Sequence, residues 1–97
     1  MLIVSQNKNV IANFQRINFI RIEPNKDKFD IEISYGEEYW DVLGTYDSYE
    51  KCSEILQGII QEFKKVGLKI NRQNTMQSEF YNIPKVYYMP DRKWKYV

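Results

Sequence analysis

Four cations and four rings alternate toward the end of the chain: Lys85, Arg92, Lys93 and Lys95 are interleaved with Tyr87, Tyr88, Trp94 and Tyr96. Positive side chains neutralise phosphates and flat rings stack on bases, so the pattern suits binding of a nucleotide or a single strand. Arg72, in a polar stretch further upstream, adds another cation. The candidate ligand-binding residues are therefore Arg72, Lys85, Tyr87, Arg92, Lys93, Trp94, Lys95 and Tyr96. A structural reading competes with this one: Tyr88 and Trp94 would pack on a sheet, and the lysines would be ordinary solubility charges. The segment also suits an acidic protein surface, including residues 30–41 of a second copy.

Other chemistry is sparse. The sequence has no His, which removes the commonest acid/base group near neutral pH and the commonest transition-metal ligand. Cys52 falls on an apolar helical stripe and has no His to pair with, so it reads as a packing residue rather than a nucleophile. The four glycines, Gly36, Gly44, Gly58 and Gly67, are too scattered to cradle a phosphate. Glu37, Glu38 and Asp41 cluster as a paired-acid or divalent-ion site would, but they read first as a solvated hairpin tip. No catalytic residue, metal ligand or cofactor is expected.

These residues must be carried by one small domain spanning 1–97, since a chain of 97 residues builds a single core. Its composition, 43% hydrophobic and 28% charged, argues against disorder over the whole length. Charge is divided unevenly. Residues 1–63 hold six Lys/Arg against eleven Asp/Glu, and residues 64–97 hold eight against two. Such polarity suits internal complementarity, head-to-tail association or a basic surface for an anion. The opening residues do not form a signal peptide, no apolar run is long enough to span a bilayer, and the single Cys fits a reducing compartment. A cytoplasmic location, in a host cell, with no membrane partner is the expectation.

The elements read as an α+β fold: an antiparallel meander of about five strands over 2–46, one amphipathic helix packed on one face, and a short C-terminal edge strand. Strands are expected at 2–5, 10–14, 17–23, 29–35 and 39–46. The third is apolar at Ile17, Phe19, Ile20 and Ile22, so its alternation slips between Phe19 and Ile20, as at a bulge or in a strand covered on both faces. Pro24 should end it. Phe29, Ile31, Ile33 and Tyr35 alternate with Asp30, Glu32 and Ser34, placing an acidic stripe outward. Trp40, Val42 and Tyr46 should share a face, with Gly44 allowing close approach. Asp47 and Glu50 resemble a capping box that opens a helix over 48–66, which Gly67 should end. Cys52, Ile55, Leu56, Ile59, Phe63 and Val66 would face the core, and Lys51, Glu54, Gln57, Gln61 and Lys65 solvent. Gly58 inside it implies close contact with a strand or a second subunit. A loop over 71–80 leads to an edge strand bracketed by Pro84 and Pro90, then the basic aromatic tail within 86–97.

The run Leu43-Gly44-Thr45-Tyr46-Asp47-Ser48-Tyr49-Glu50, continuing through Cys52 to Ile60, resembles a strand-to-helix pattern of small phage- and prophage-encoded proteins of Firmicutes. The opening Val4-Ser5-Gln6-Asn7 to Asn13-Phe14 and the late Val86-Tyr87-Tyr88-Met89-Pro90 are similar to the same group. The motifs are short, and the 71–80 loop and basic tail depart from the pattern. The resemblance implies a mobile-element origin and an accessory role. Some phage proteins of similar size sequester nucleotide immune signals, as the anti-Thoeris proteins do.

The function expected from the sequence is a non-catalytic binding protein that sequesters an anionic, nucleotide-like ligand or partner in antagonism to host defence. A protein-interaction module or homodimer is the alternative, motivated by the apolar strand at 17–22, Gly58 and the edge strand at 86–89. Nucleic-acid binding through the basic half is the third.

Overall fold

The computed structural model describes residues 1–36, 38–72 and 85–91, the side chains of 66–72 excepted. The fold is α+β, with six strands in two three-stranded sheets and one helix among the described residues. The first sheet has β1 (Leu2–Val4) at its centre, with β2 (Ile11–Asn13) antiparallel on one side and β6 (Val86–Tyr88) parallel on the other. The second is a meander of β3 (Phe19–Asn25), β4 (Lys28–Ser34) and β5 (Asp41–Tyr46). The helix α1 (Tyr49–Arg72) packs against that meander. The five strands expected over 2–46 are thus present but divided between two sheets, and the C-terminal strand is an edge strand beside β1.

Side chains that imitate backbone join the pieces. Ser5 Oγ accepts from the amide of Val10 and donates to Asn7 Oδ1, and Asn7 Oδ1 also accepts from the Asn9 amide, which closes the β1–β2 turn with Lys8 at φ 68°. Between the sheets, Gln6 acts as an extra peptide unit. Its backbone amide donates to Leu43 O, its Oε1 accepts from the Thr45 amide at 3.0 Å, and its Nε2 donates to Thr45 O and Pro90 O. One side chain therefore ties β5 to both β1 and the residues after β6.

The core follows the expected periodicities. Ile31, Ile33, Leu43 and Tyr46 from the meander meet Cys52, Ile55 and Ile59 from α1, with Ile3, Ala12 and Met89 from the first sheet. Burying each large side chain of this kind contributes ~1.5–3 kcal/mol. Phe14, in a 3-10 turn at Phe14–Arg16 that follows the shortened β2, packs against Phe63 in a tilted arrangement with centroids 4.9 Å apart.

Several local expectations are corrected. Ser48, not Asp47, caps α1: its Oγ accepts from the Lys51 amide at 3.1 Å, while Asp47 pairs with Lys28. The helix passes through Gly67 and reaches Arg72, because a glycine permits a left-handed stop without imposing one. Positions 71 and 72 of the expected loop are helical, and 73–80 lie outside the described residues. Lys51 is buried rather than outward, since it sits in the first turn where the helix meets the sheet. β3 does not end at Pro24, which pairs with Phe29 in register before the turn at Lys26 (φ 60°). The outer positions of β4 are not a solvated stripe: Asp30 is covered, accepting from Thr45 Oγ1 at 2.7 Å and Asn25 Nδ2 at 3.1 Å, and Ser34 is buried.

The irregularity expected in β3 lies in β5 instead. β3 and β4 pair without a shift from Phe19↔Ser34 to Asn25↔Lys28, whereas the β4–β5 register passes from Ile31↔Gly44 to Glu32↔Val42 and skips Leu43. This bulge turns Leu43 into the core and rotates what precedes it to the opposite face. Trp40 and Val42 therefore do not share a face with Tyr46.

Candidate protein-interaction surface

The helix covers one face of the meander, so alternation leaves the residues of opposite parity on the other. From β3 these are Phe19, Arg21 and Glu23; from β4, Glu32; and from β5, by way of the bulge, Val42, with Trp40 just before it. The Arg21 guanidinium lies over the Trp40 ring, 3.7 Å from its centroid, and Phe19 flanks Trp40 at 6.3 Å. Arg21 Nε donates to Glu32 Oε1 at 3.0 Å and lies 3.4 Å from Glu23. Cation–π stacking at an exposed site contributes ~0.5–1 kcal/mol. Its larger consequence is that both side chains are held in place before anything binds.

The surrounding surface is apolar and exposed. Phe19 retains 60% of its accessible area, and Val42 is also exposed. Tyr39, in the β4–β5 connection at the Phe19 end of β3, retains 83%. Gly36 makes that connection possible: it takes φ +98°, and a side chain there would collide with Asn18. Glu23 and Glu32 flank Arg21 on this face, so the described part of the patch has an acidic side. Trp and Arg, held together here on a sheet face, are among the residues that concentrate energy in protein interfaces.

The sequence-derived site divides differently. Lys85 donates to Glu62 of α1 at 2.8 Å, and Lys65 approaches the other Glu62 oxygen at 3.1 Å. These hydrogen bonds hold the Glu62 carboxyl below its ordinary pKa. Tyr87 is half-buried on the core, and its Oη lies 3.4 Å from where a Cβ on Gly58 would stand. Burial, followed by the Glu62 charge, pushes its phenol above the ordinary value. The strand inferred from Gly58 is thus β6. Arg72 is the last residue of α1 and its side chain is outside the described residues, as are Arg92, Lys93, Trp94, Lys95 and Tyr96. The structure therefore brings Lys85 and Tyr87 together, as the attachment of β6 to α1.

Cys52 is fully buried, its Sγ 3.7 Å from Phe29 O, and burial, with the nearby Asp30, pushes its thiol up to about 11. Among the described residues no group of three His, Cys, Asp or Glu could hold a metal ion, and Glu37 of the acidic cluster lies outside them. None of the described helix is long and apolar enough to cross a membrane.

The aromatic face was not singled out as a site in the sequence, although two signals pointed to it. One was Phe19 breaking the alternation of its strand. The other was Leu43-Gly44, a large apolar residue out of phase beside a glycine, which is how a bulge reads. Compared with known proteins, the chain matches no family model, and no curated protein or solved structure is significantly similar to it.

Proposed function

We propose that this chain is a non-catalytic protein-interaction module whose recognition surface is the outer face of β3–β5. The observation that carries this reading is the Phe19–Trp40–Arg21 stack: prepositioned, with a half-buried Trp40 between exposed Phe19 and Arg21, on the face of the meander that α1 does not cover. The carboxylates of Glu23 and Glu32 on this face favour a partner that presents an apolar centre beside basic side chains. Sequestration of an anion by the basic tail is less well supported, because Lys85 is paired and Tyr87 is packed.

A photo-crosslinking amino acid placed at Tyr39, with a control at exposed Gln57 on α1, tests the proposal in cells that make the protein. A partner captured from position 39, not from 57, and lost on Trp40→Ala is the expected result. Equal capture from both positions, or capture indifferent to Trp40→Ala, would sink the reading.

A further inference from the structure

Neither β3 nor β5 has a second pairing strand among the described residues, but Gln6 bonds along β5 at Leu43 and Thr45, which leaves β3 as the open edge. Which backbone groups it presents follows from the turn. Asn25 and Lys28 close a two-residue loop, so they form a hydrogen-bonded pair, and by alternation Glu23–Asp30, Arg21–Glu32 and Phe19–Ser34 are the others. Ile20, Ile22 and Pro24 therefore direct their backbone groups away from β4. Pro24 sits where its missing N–H interrupts no bond within the sheet.

We infer that two copies of this chain pair β3 with β3 in antiparallel fashion, with Ile22 opposite Ile22, to make a six-stranded sheet across a two-fold axis. In that register each Ile22 amide donates to the other Ile22 carbonyl, and each Ile20 amide donates to a Pro24 carbonyl. Side chains choose the register. With Ile22 on the axis, Arg21 stands opposite Glu23 of the second copy and Glu23 opposite its Arg21. Moving the axis by one residue, onto position 21, sets Arg21 against Arg21, and moving it by one the other way, onto position 23, sets Glu23 against Glu23. Like charges directly opposite in a sheet are unfavourable and unlike charges favourable. Both side chains are near the surface, Arg21 43% and Glu23 46% exposed, so each can reach across the seam without leaving a buried charge. Such pairing also covers the open edge and joins the two outer faces into one continuous surface.

The test needs only the chain itself, so its outcome is separate from that of partner capture. Light scattering on the full chain from about 10 μM to about 1 mM should show the mass rising from 11.8 kDa toward twice that value. Arg21→Glu and Glu23→Arg should each weaken self-association by about tenfold or more, since each sets like charges opposite one another twice. Mixing the two variants should restore dimer mass, because every Glu at 21 and 23 of one chain then faces an Arg of the other. That recovery cannot come from unfolded protein. A wild type that stays at 11.8 kDa throughout overturns the inference. So does a dimer indifferent to both variants, or a mixture that stays monomeric.

Discussion

Tyr46 Oη donates to the carbonyl of Pro90 at 2.6 Å, a bond between residues 44 positions apart that fastens the C-terminal strand to the meander. The Tyr46 ring reaches it by lying across Gly44, where a Cβ would come within 2.7 Å of the ring and hydroxyl. Burial raises the phenol above its ordinary pKa, so it remains a donor throughout the neutral range. Tyr46→Phe should cost about 1–2 kcal/mol, because Pro90 O keeps only the longer bond from Gln6 Nε2 at 3.3 Å. Thermal unfolding gives the magnitude. Hydrogen exchange should speed up at the amides of Leu2 and Met89, which bond across β1 and β6, more than at α1.

The cap of α1 separates two neighbouring polar residues. Ser48→Ala should destabilise the chain by about 1 kcal/mol, the usual worth of an N-cap hydroxyl. Asp47→Ala should cost a few tenths, roughly what an exposed ion pair contributes. Denaturant titration of both variants checks the order; equal losses would return Asp47 to the capping role.

Cys52 should be inert in the native state. Its thiol is pushed up to about 11 from 9.0 by burial, so modification by a disulfide reagent at pH 8 should proceed only as fast as the chain opens. The sign of the pH effect follows from linkage. A raised folded-state value means that this contribution to stability is complete below pH 9.0 and is lost as pH rises through about 11. Cys52→Ala should show a shallower alkaline loss, read from denaturation midpoints across that window.

Gly58 is close to Tyr87, and the two should be coupled. Gly58→Ala gains up to about 1 kcal/mol of helix propensity against a 3.4 Å approach to Tyr87 Oη, so its net effect should be small. Gly58→Leu drives a side chain into Tyr87 and should destabilise by about 1–3 kcal/mol. In a Tyr87→Ala background most of that loss should vanish, which a double-mutant cycle measures.

Loss of Trp40 separates binding from folding. Trp40→Ala removes a half-buried ring and its stack under Arg21, so stability should fall by about 1–2 kcal/mol. Partner capture at Tyr39 should fall far more, as expected where a few anchors carry most of the binding energy. A loss of stability large enough to unfold the chain would instead mark Trp40 as a core residue.

Much of the fold was legible because its periodicities are local. Alternation from Phe29 to Ile33 and the recurrence of Cys52, Ile55 and Ile59 each follow from which atoms can be removed from water on one side of an element. Termini were less legible. Ser48 and Asp47 are both competent caps, and only the position of Lys28 assigns Asp47 elsewhere. Gly67 permits a helix to stop, yet the helix continues through it.

The candidate site was the least legible part. Of the basic and aromatic residues that stood out at 85–96, Lys85 and Tyr87 bond and pack within the fold, while Arg92, Lys93, Trp94, Lys95 and Tyr96 lie outside the described residues. Trp40 was assigned to the core side because strict alternation from Tyr46 places it there. The sequence alone determined an α+β chain with one amphipathic helix, a β4 that turns Ile31 and Ile33 into the core, and no His or cysteine pair for the commonest chemistry. Tertiary structure decided the pairing of β1 with β6, the bridging role of Gln6, and the bulge at Leu43 that turns Trp40 toward Arg21. Those outcomes depend on contacts between residues far apart in the chain, and a period of two or of 3.6 residues carries no information about which distant partner an element will meet.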